Sequence, residues 1–253
     1  MDVVRAIEEN AAELLMAMGE AGGGSQRVDG RAAWTIGGSP IDYHNAVVRA
    51  SDTGVVAESL AELKKHDVPG TWHVGPSTQI DRTALTAAGF VAAGSEPGMA
   101  VRITELTAPR DVPGLEITRI TDDDGVATWE ETLAQGFGEG EREARWVAST
   151  YRRLGYGDPW RHYLGWLDGT PVGTATVFLG AGVAGLYFVM TVPAMRRRGI
   201  GAAITYGVLR EAGPEYGVLG SSAAGRPVYE ALGFREYCTI DLYEWTGWST
   251  SAG

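Results

Sequence analysis

One stretch in the second half of the chain constrains the fold more than any other. It begins at Leu186 with an apolar, β-branched and aromatic run, passes Pro193, three arginines and two glycines, and reads LYFVMTVPAMRRRGIGAA as far as Ala203. The apolar run predicts a strand that Pro193 ends, and the glycines predict a tight corner into a helix. The sequence therefore indicates a strand, a glycine loop and a helix in succession.

The glycine loop is suited to bind an anion. Gly199 and Gly201 carry no Cβ, so a ligand can approach the backbone closely, and the N–H groups of a first helical turn attract negative charge. Arg196, Arg197 and Arg198 add positive charge, which favours a pyrophosphate over a single carboxylate. An ordinary strand-to-helix turn with exposed arginines would contain the same residues. The neighbouring motifs therefore have to distinguish an anion-binding loop from such a turn.

Two common phosphate-binding motifs do not fit this loop. The dinucleotide fingerprint needs a third glycine three residues after Gly201, where Ile204 stands, and the Gly-Lys-Ser/Thr of a P-loop is absent. Arg196, Gly199 and Gly201 instead match the pattern (Gln or Arg)-x-x-Gly-x-(Gly or Ala), three residues after the proline that ends the strand. With this pattern the chain resembles the GNAT superfamily of acyl-CoA-dependent N-acetyltransferases.

The resemblance implies a fold and a co-substrate. It implies an α/β (α+β) fold with a mixed, mostly antiparallel central sheet flanked by helices, and it implies acetyl-CoA as the acyl donor. The pyrophosphate should lie on backbone N–H groups of residues 197–202, and the pantetheine arm should lie along the end of the central strand, where that strand splays from its neighbour. The residues expected to bind acetyl-CoA are Val189, Met190, Thr191, Arg196, Arg197, Arg198, Gly199, Ile200, Gly201, Ala202 and Ser222.

Tyr229 is the side chain that the resemblance assigns to catalysis. The family often places a tyrosine five residues before a Gly-Phe pair, where it protonates the departing CoA thiolate, and Phe234 completes that pair here. Ser222 stands where the family often has asparagine, seven residues before the tyrosine.

The general base is not evident from the sequence. The central strand carries no acid, although many relatives have a glutamate there. Glu139, Glu141, His162 and Tyr187 are the candidates, and each also fits an ordinary solvated or packing role.

A short repeat predicts two halves of the same kind. The segment LTAAGF at residues 85–90 matches YEALGF at residues 229–234, and the next strong strand signal comes nine residues after each phenylalanine, at Met99 and at Tyr243. We therefore predict a degenerate GNAT-like domain at residues 1–107 that binds no cofactor, a linker at 108–114, a catalytic domain at 115–246 and a flexible tail at 247–253. The alternative for the first half is an unrelated α+β domain with a coincidental Gly-Phe turn.

Local patterns predict several further elements. Apolar spacing indicates an amphipathic helix at residues 3–18, and Asp168-Gly169 between two apolar runs indicates a hairpin. Thr121 and the acids that follow it predict a capped helix that reaches Ala134. A glycine-rich loop at 135–140 precedes a helix at 141–154 and would suit a substrate lid.

Composition limits the functional classes. The net charge of −11 argues against nucleic-acid binding and mildly favours a cationic acceptor. No apolar run reaches the length of about 18 residues that a membrane span needs. Because the only cysteine is Cys238 and the four histidines are scattered, we expect no internal disulfide, no metal site and a cytoplasmic location.

Two functional hypotheses follow. The first is acetyl transfer from acetyl-CoA to the amine of a small molecule, by a monomer or homodimer with no nucleic-acid or membrane partner. The second is a non-catalytic acyl-CoA-binding regulatory or scaffold protein.

Overall fold

The computed structural model describes residues 1–247, and the predicted tail lies outside the described residues except for Gly247. The helices are α1 Val3–Ala21, α2 Gly54–His66, α3 Arg82–Ala87, α4 Asp123–Ala134, α5 Glu141–Leu154, α6 Ile200–Arg210 and α7 Arg226–Ala231. The strands are β1 Ser25–Val28, β2 Ala32–Ile36, β3 Ala46–Ala50, β4 Gly70–Val74, β5 Val91–Arg102, β6 Leu115–Arg119, β7 Trp160–Leu167, β8 Thr170–Gly180, β9 Val183–Thr191, β10 Tyr216–Gly220 and β11 Arg235–Trp245.

The backbone forms two compact units, and each combines distant parts of the chain. The larger unit consists of Met1–Ala11 and Pro97–Cys238, and the smaller unit consists of Ala12–Glu96 and Thr239–Gly253. The helix α1 and the strands β5 and β11 therefore contribute residues to both units.

The smaller unit is built on the strand order β1-β2-β3-β4-β11. The pair β3–β4 is parallel and the other neighbours are antiparallel. Helix α2 crosses between the parallel strands and packs on the sheet through Val56 and Leu63, which share a buried cluster with Trp72. The indole N–H of Trp72 donates to Ser59 on this helix at 3.1 Å, so the one polar atom of a buried indole is satisfied.

The larger unit has the strand order β5-β10-β9-β8-β7-β6. Only the pair β9–β10 is parallel among the registered pairs of this unit, and α6 makes the crossover between its two strands. Helices α4 and α5 pack against each other, and Trp129 and Tyr151 from them are fully buried. Their rings lie 5.2 Å apart and belong to an aromatic cluster that also contains Trp160, His162 and Phe188.

The two halves of the sequence repeat one local structure. Each half contains a strand, a helix, a second strand and a short helix in succession. These elements are β3, α2, β4 and α3 in the first half and β9, α6, β10 and α7 in the second half. Each short helix ends in the same way, because the N–H of Phe90 bonds to Leu85 O at 3.0 Å and the N–H of Phe234 bonds to Tyr229 O at 3.0 Å. The intervening glycines have φ of 93° and 98°, a region that favours glycine.

The last strands of the two halves are exchanged. Strand β5 follows α3 but pairs antiparallel with β10, whereas β11 follows α7 but pairs antiparallel with β4. Each compact unit therefore contains a strand that the other half of the sequence supplies.

The structure confirms the mixed, mostly antiparallel sheet flanked by helices, the helix at 141–154 and the hairpin at Asp168-Gly169. The predicted Thr121 cap was wrong. The cap is Asp122, whose carboxylate accepts from the N–H of Gly125 at 2.8 Å and so reaches the third residue of the helix. Strand β1 was not predicted, because its sequence SQRV has no apolar run.

None of the helices within residues 1–247 combines the length and the apolar character that crossing a bilayer requires.

Candidate functional site

A cleft of about 700 Å³ opens in the larger unit where β9 and β10 separate. The two strands are paired at Ala184–Gly217 and Gly185–Val218, and β9 then continues to Thr191 along the cleft. Val189, Met190 and Thr191 line the cleft with the first turn of α6 and with residues of α7. A parallel pair that diverges in this way leaves backbone groups of β9 available to a ligand.

A bulge in β9 lies at the inner end of this cleft. Thr174 of β8 is opposite Met190 and Thr176 is opposite Tyr187, so the register shifts between these pairs. Phe188 lies within the shift and has a φ of 50°, which is uncommon for a bulky residue. Its carbonyl accepts a hydrogen bond from the hydroxyl of Thr174 at 2.8 Å.

The N-terminus of α6 forms the second wall of the cleft. Its N-cap is Gly199, with a φ of 83°, and no side chain among residues 1–247 caps the helix. The first bond inside the helix runs from the N–H of Ala203 to the carbonyl of Gly199 at 3.0 Å. The N–H groups of Ile200, Gly201 and Ala202 therefore have no partner within the helix, and all three residues line the cleft. This turn can hold an anion.

The three arginines beside this turn differ in what they contact. Arg196 donates from Nε to Thr191 O at 3.1 Å and from Nη2 to Gly136 O at 3.0 Å, so its guanidinium joins the end of β9 to the loop at 135–140. Arg197 is exposed and lines the cleft. Arg198 is also exposed, and its Nη1 contacts the Met195 sulfur at 3.1 Å. Arg196 thus shapes the cleft wall, and Arg197 is placed to add positive charge to it.

Tyr229 and Ser222 line the same cleft from α7 and the segment before it. Tyr229 is half-buried, and burial raises its pKa to about 12. Its ring packs edge-on against Phe234, with centroids 5.7 Å apart. The Ser222 hydroxyl accepts from the N–H of Gly225 at 3.1 Å and so helps to fix the start of α7.

The two glutamates suggested as a general base lie outside the cleft. Glu139 is exposed and forms an ion pair with Arg142 at 3.1 Å. Glu141 is exposed, lies 3.8 Å from Arg145 and lines a different groove with it.

His162 and Tyr187 are engaged in the interior of the larger unit. His162 is fully buried, its Nδ1 lies 3.1 Å from the Thr176 hydroxyl, and burial lowers its pKa to about 3. Tyr187 donates its hydroxyl to Asn10 Oδ1 at 2.6 Å. Asn10 is itself fully buried and donates to the carbonyls of Phe178 and Gly180. Neither candidate base therefore faces the cleft.

The structure adds residues that sequence reasoning did not assign to the site. The segment 136–138 was predicted as part of a lid, and its three residues line the cleft as a wall. Phe137 packs on Phe188 of the bulge, with ring centroids 5.4 Å apart. The further lining residues are Met195, Thr205, Ala224, Gly225 and Val228. For most of these further residues, the only feature of the sequence that pointed to the cleft was their position next to predicted site residues.

Within residues 1–247 no group of three or more His, Cys, Asp or Glu side chains is placed to hold a metal ion.

Comparison with known families gives one match. Residues 126–234, which include every residue that lines the cleft, match the acetyltransferase (GNAT) family. No curated protein sequence matches the chain.

Solved structures share the fold across nearly the whole chain. A GCN5-related N-acetyltransferase from Kribbella flavida is 18% identical with a TM-score of 0.71, covering 95% of this chain and 97% of its own. A tandem GNAT protein from the clavulanic acid biosynthesis pathway is 17% identical with a TM-score of 0.58, covering 89% and 82%. A GCN5-related N-acetyltransferase from Sphaerobacter thermophilus is 17% identical with a TM-score of 0.58, covering 94% and 92%. At these identities the likeness concerns the fold, and a tandem arrangement agrees with the two repeated halves.

Proposed function

We propose that this protein, which carries a domain of the acetyltransferase (GNAT) family at residues 126–234, moves an acetyl group from acetyl-CoA to the amine of a small molecule. The observation that carries the proposal is the cleft itself. It combines a splayed edge of β9, an α6 N-terminus without a side-chain cap among residues 1–247, and the Tyr229 hydroxyl.

The parts of the cleft fit the parts of acetyl-CoA. The N–H groups of Ile200, Gly201 and Ala202 would hold the pyrophosphate, with charge from the exposed Arg197. The backbone of residues 189–191 would bind the pantetheine amides in the manner of an added strand. A Cβ on Gly201 would lie 3.3 Å from the Thr191 hydroxyl, so the wall at this point is closely packed without any side chain.

The proposed reaction is a direct transfer in a ternary complex. The amine nitrogen attacks the thioester carbonyl, a C–N bond forms and the C–S bond breaks. Backbone N–H groups of β9 stabilise the negative charge on the carbonyl oxygen, and Tyr229 donates a hydrogen bond or proton to the leaving sulfur. The attacking nitrogen loses its proton to solvent or to a group outside the four candidates, since none of them lines the cleft.

We further propose a small cationic acceptor and a cytoplasmic protein. The net charge of −11 favours the approach of a protonated amine over that of a polyanion. The single cysteine is compatible with a reducing compartment.

One observation favours a second candidate function. Because no candidate base lines the cleft, the protein could bind acyl-CoA without transferring the acyl group, as a regulatory or scaffold protein would. Acetyl-CoA turnover with a panel of small amines separates the two functions.

The experiment that tests the proposal measures binding first. Calorimetry and thermal shift should detect acetyl-CoA binding near micromolar Kd, and bound ligand should raise the Tm by mass action. A Gly201→Trp variant should lose this binding, because the indole would fill the space beside Thr191. An unmodified protein that binds no acetyl-CoA would rule out both candidate functions.

A further inference from the structure

We propose that the Thr205 hydroxyl in α6 is a ligand-binding group that hydrogen-bonds a polar atom of the pantetheine arm of CoA. The inference rests on the CoA-binding part of the proposed function, and it adds a side chain to a wall that otherwise offers this arm backbone groups. It starts from one observation. Thr205 lines the cleft and is fully buried, yet its hydroxyl has no hydrogen-bond partner among residues 1–247.

This hydroxyl is an exception within the larger unit. Five threonines in residues 97–238 are fully buried, and the structure describes that whole segment. The four others have their hydroxyls in hydrogen bonds, and they are Thr132, Thr150, Thr174 and Thr176. A buried polar group without a partner destabilises the folded state. One that lies in a binding cleft therefore indicates that the ligand supplies the partner.

Helix α6 does not satisfy this hydroxyl. Threonines inside helices can donate to a carbonyl of the preceding turn, as Thr132 does to Thr128 O and Thr150 does to Val147 O, both at 2.7 Å. Thr205 makes no such bond to the described residues. A threonine on a helix has two favourable rotamers about its Cα–Cβ bond, so a rotation lets the hydroxyl meet a ligand that enters the cleft.

The position of Thr205 on α6 places it beyond the proposed pyrophosphate site. Thr205 follows Ala202 by three residues and Gly201 by four, so the three share one face of the helix, and all three line the cleft. The adjacent residue Ile204 packs elsewhere, because its Cδ1 would lie 2.8 Å from a Cβ on Gly173 of β8. With a rise of about 1.5 Å per residue, Thr205 lies roughly 6 Å past Gly201 along the helix axis.

The pantetheine arm is the part of CoA that passes this level of the cleft. The proposed pyrophosphate site is the set of N–H groups at residues 200–202, and the arm continues from there along residues 189–191. Between the pyrophosphate and the sulfur, the arm carries one hydroxyl and two amides. A hydroxyl about one helical turn past the pyrophosphate therefore meets one of these groups, whereas ADP, which ends at the pyrophosphate, does not extend to it.

The test replaces the hydroxyl with a methyl group of nearly the same size. Thr205→Val keeps the β-branched shape, and Thr205→Ser keeps the hydroxyl. The matched control is Thr150→Val, because Thr150 is equally buried in a helix of the same unit, bonds Val147 O and is not a lining residue of the cleft. Calorimetry gives the Kd of CoA, acetyl-CoA and ADP for each protein, and thermal unfolding without ligand gives the Tm.

We expect Thr205→Val to raise the Kd of CoA and of acetyl-CoA by about 5- to 10-fold, the effect of one lost hydrogen bond, and to leave the Kd of ADP within about 2-fold. Thr205→Ser should stay within about 3-fold for all three ligands. Without ligand, Thr205→Val should keep or raise the Tm, because it removes an unpaired polar group. Thr150→Val breaks a bond within the protein and should lower the Tm by about 2–4 °C.

Three results would overturn the inference while leaving the proposed function in place. If Thr205→Val binds CoA as tightly as the unmodified protein, the hydroxyl does not contact the ligand. If its Tm falls as far as that of Thr150→Val, the hydroxyl has a partner within the protein. If acetyl-CoA binds more weakly and CoA does not, the contact is with the acyl group and not with the arm.

Two further outcomes are separated from these. If Thr205→Val is overcrowded and does not fold, Thr205→Ala removes the same hydroxyl with less crowding and gives the same comparison of CoA with ADP. An unmodified protein that binds none of the three ligands would contradict the proposed function itself.

Discussion

At the scale of single residues, Tyr229 holds its proton more firmly than an ordinary phenol. Burial raises its pKa to about 12, above the value of about 8.5 typical of a thiol. Complete proton transfer to a free thiolate would therefore be uphill. In the proposed transfer the hydroxyl would therefore contribute most as a hydrogen bond that strengthens while negative charge grows on the sulfur, and it would stay protonated throughout the physiological range.

We expect Tyr229→Phe to lower kcat by about 10²-fold while the Kd of acetyl-CoA changes little, because the ring remains and only the hydroxyl is lost. In the unmodified protein, ionisation of Tyr229 should not reduce kcat below about pH 11, since its pKa is about 12. Steady-state kinetics gives kcat, calorimetry gives the Kd of acetyl-CoA, and thermal unfolding gives the Tm, all measured on one preparation of each protein. Tyr237→Phe, at an exposed tyrosine, is the control. A lower Tm with unchanged kcat would make Tyr229 a structural residue.

His162 should make the protein sensitive to acid. Burial lowers its pKa to about 3, whereas in the unfolded chain the value is about 6.5. As the pH falls below about 6.5 the unfolded state takes up a proton that the folded state does not, so stability is lost between about pH 6.5 and pH 3. His73, with a pKa lowered by burial to about 4, acts in the same direction.

Urea unfolding at a series of pH values tests this. The free energy of unfolding should decline steadily from pH 7 to pH 4, and the decline should be shallower in His162→Gln, which cannot take up that proton. The comparison uses the slope against pH, so a variant that is less stable overall still gives an answer. Equal slopes in the two proteins would show that His162 is not the responsible group.

At the scale of elements, the two halves treat equivalent helix N-termini differently. In the smaller unit the N–H of Gly54, at the start of α2, donates to Asp52 Oδ1 at 2.9 Å, and Arg31 pairs with the same carboxylate at 2.8 Å. The Arg31 hydrogen bond lowers the pKa of Asp52, which stays ionised. The position that α6 leaves for a ligand anion is therefore occupied in α2 by the protein's own carboxylate.

We therefore expect one acetyl-CoA per chain. Calorimetry on the full chain should give a stoichiometry of one. Asp52 already occupies the N-terminus of α2, whereas the N-terminus of α6 has no side-chain cap among residues 1–247 and can accept the pyrophosphate. The Gly201→Trp variant should then bind none, whereas Asp52→Asn should leave the stoichiometry at one. Two sites in the unmodified protein would contradict the assignment of the first half as a degenerate copy.

Local signals account for the elements that the sequence predicted well. The helix at 141–154 and the Asp168-Gly169 hairpin depend on periodicity and turn chemistry, which short windows contain. Strand β5 was predicted only near its end, because its first residues are small and exposed and form a strand through pairing with distant residues. The bulge at Phe188 was not predictable, since it depends on Thr174 and on aromatic rings from three other segments.

The same distinction applies to the candidate site. The glycine loop was recognisable because anion binding by a helix N-terminus needs a compact local motif. The wall at 136–138 comes from tertiary packing, as does the Arg196 bridge to Gly136. The roles of the predicted site residues and the boundary at 108–114 stay predictions, and the compact units divide the chain differently from that boundary.

At the scale of the whole molecule, the exchanged strands make each half of the sequence depend on the other. Residues 1–110 lack the β11 partner of β4, and residues 111–253 lack the β5 partner of β10. Expressed separately, the two fragments should show no cooperative unfolding transition, and together they should recover acetyl-CoA binding. Thermal unfolding and calorimetry check this. A fragment 111–253 with the Tm and acetyl-CoA affinity of the full chain would contradict it.

The exchange also sets an order of events during synthesis on the ribosome. Strand β4 emerges when most of the chain is still unmade, yet its partner in β11 is residues 241–245. Until those residues appear, one edge of β4 presents backbone N–H and C=O groups that a neighbouring nascent chain can pair with. Residues 12–96 of the smaller unit are thus translated before residues 97–238 of the larger unit, yet the smaller unit cannot close until β11 appears. The period of exposure lengthens with every pause in translation of the second half.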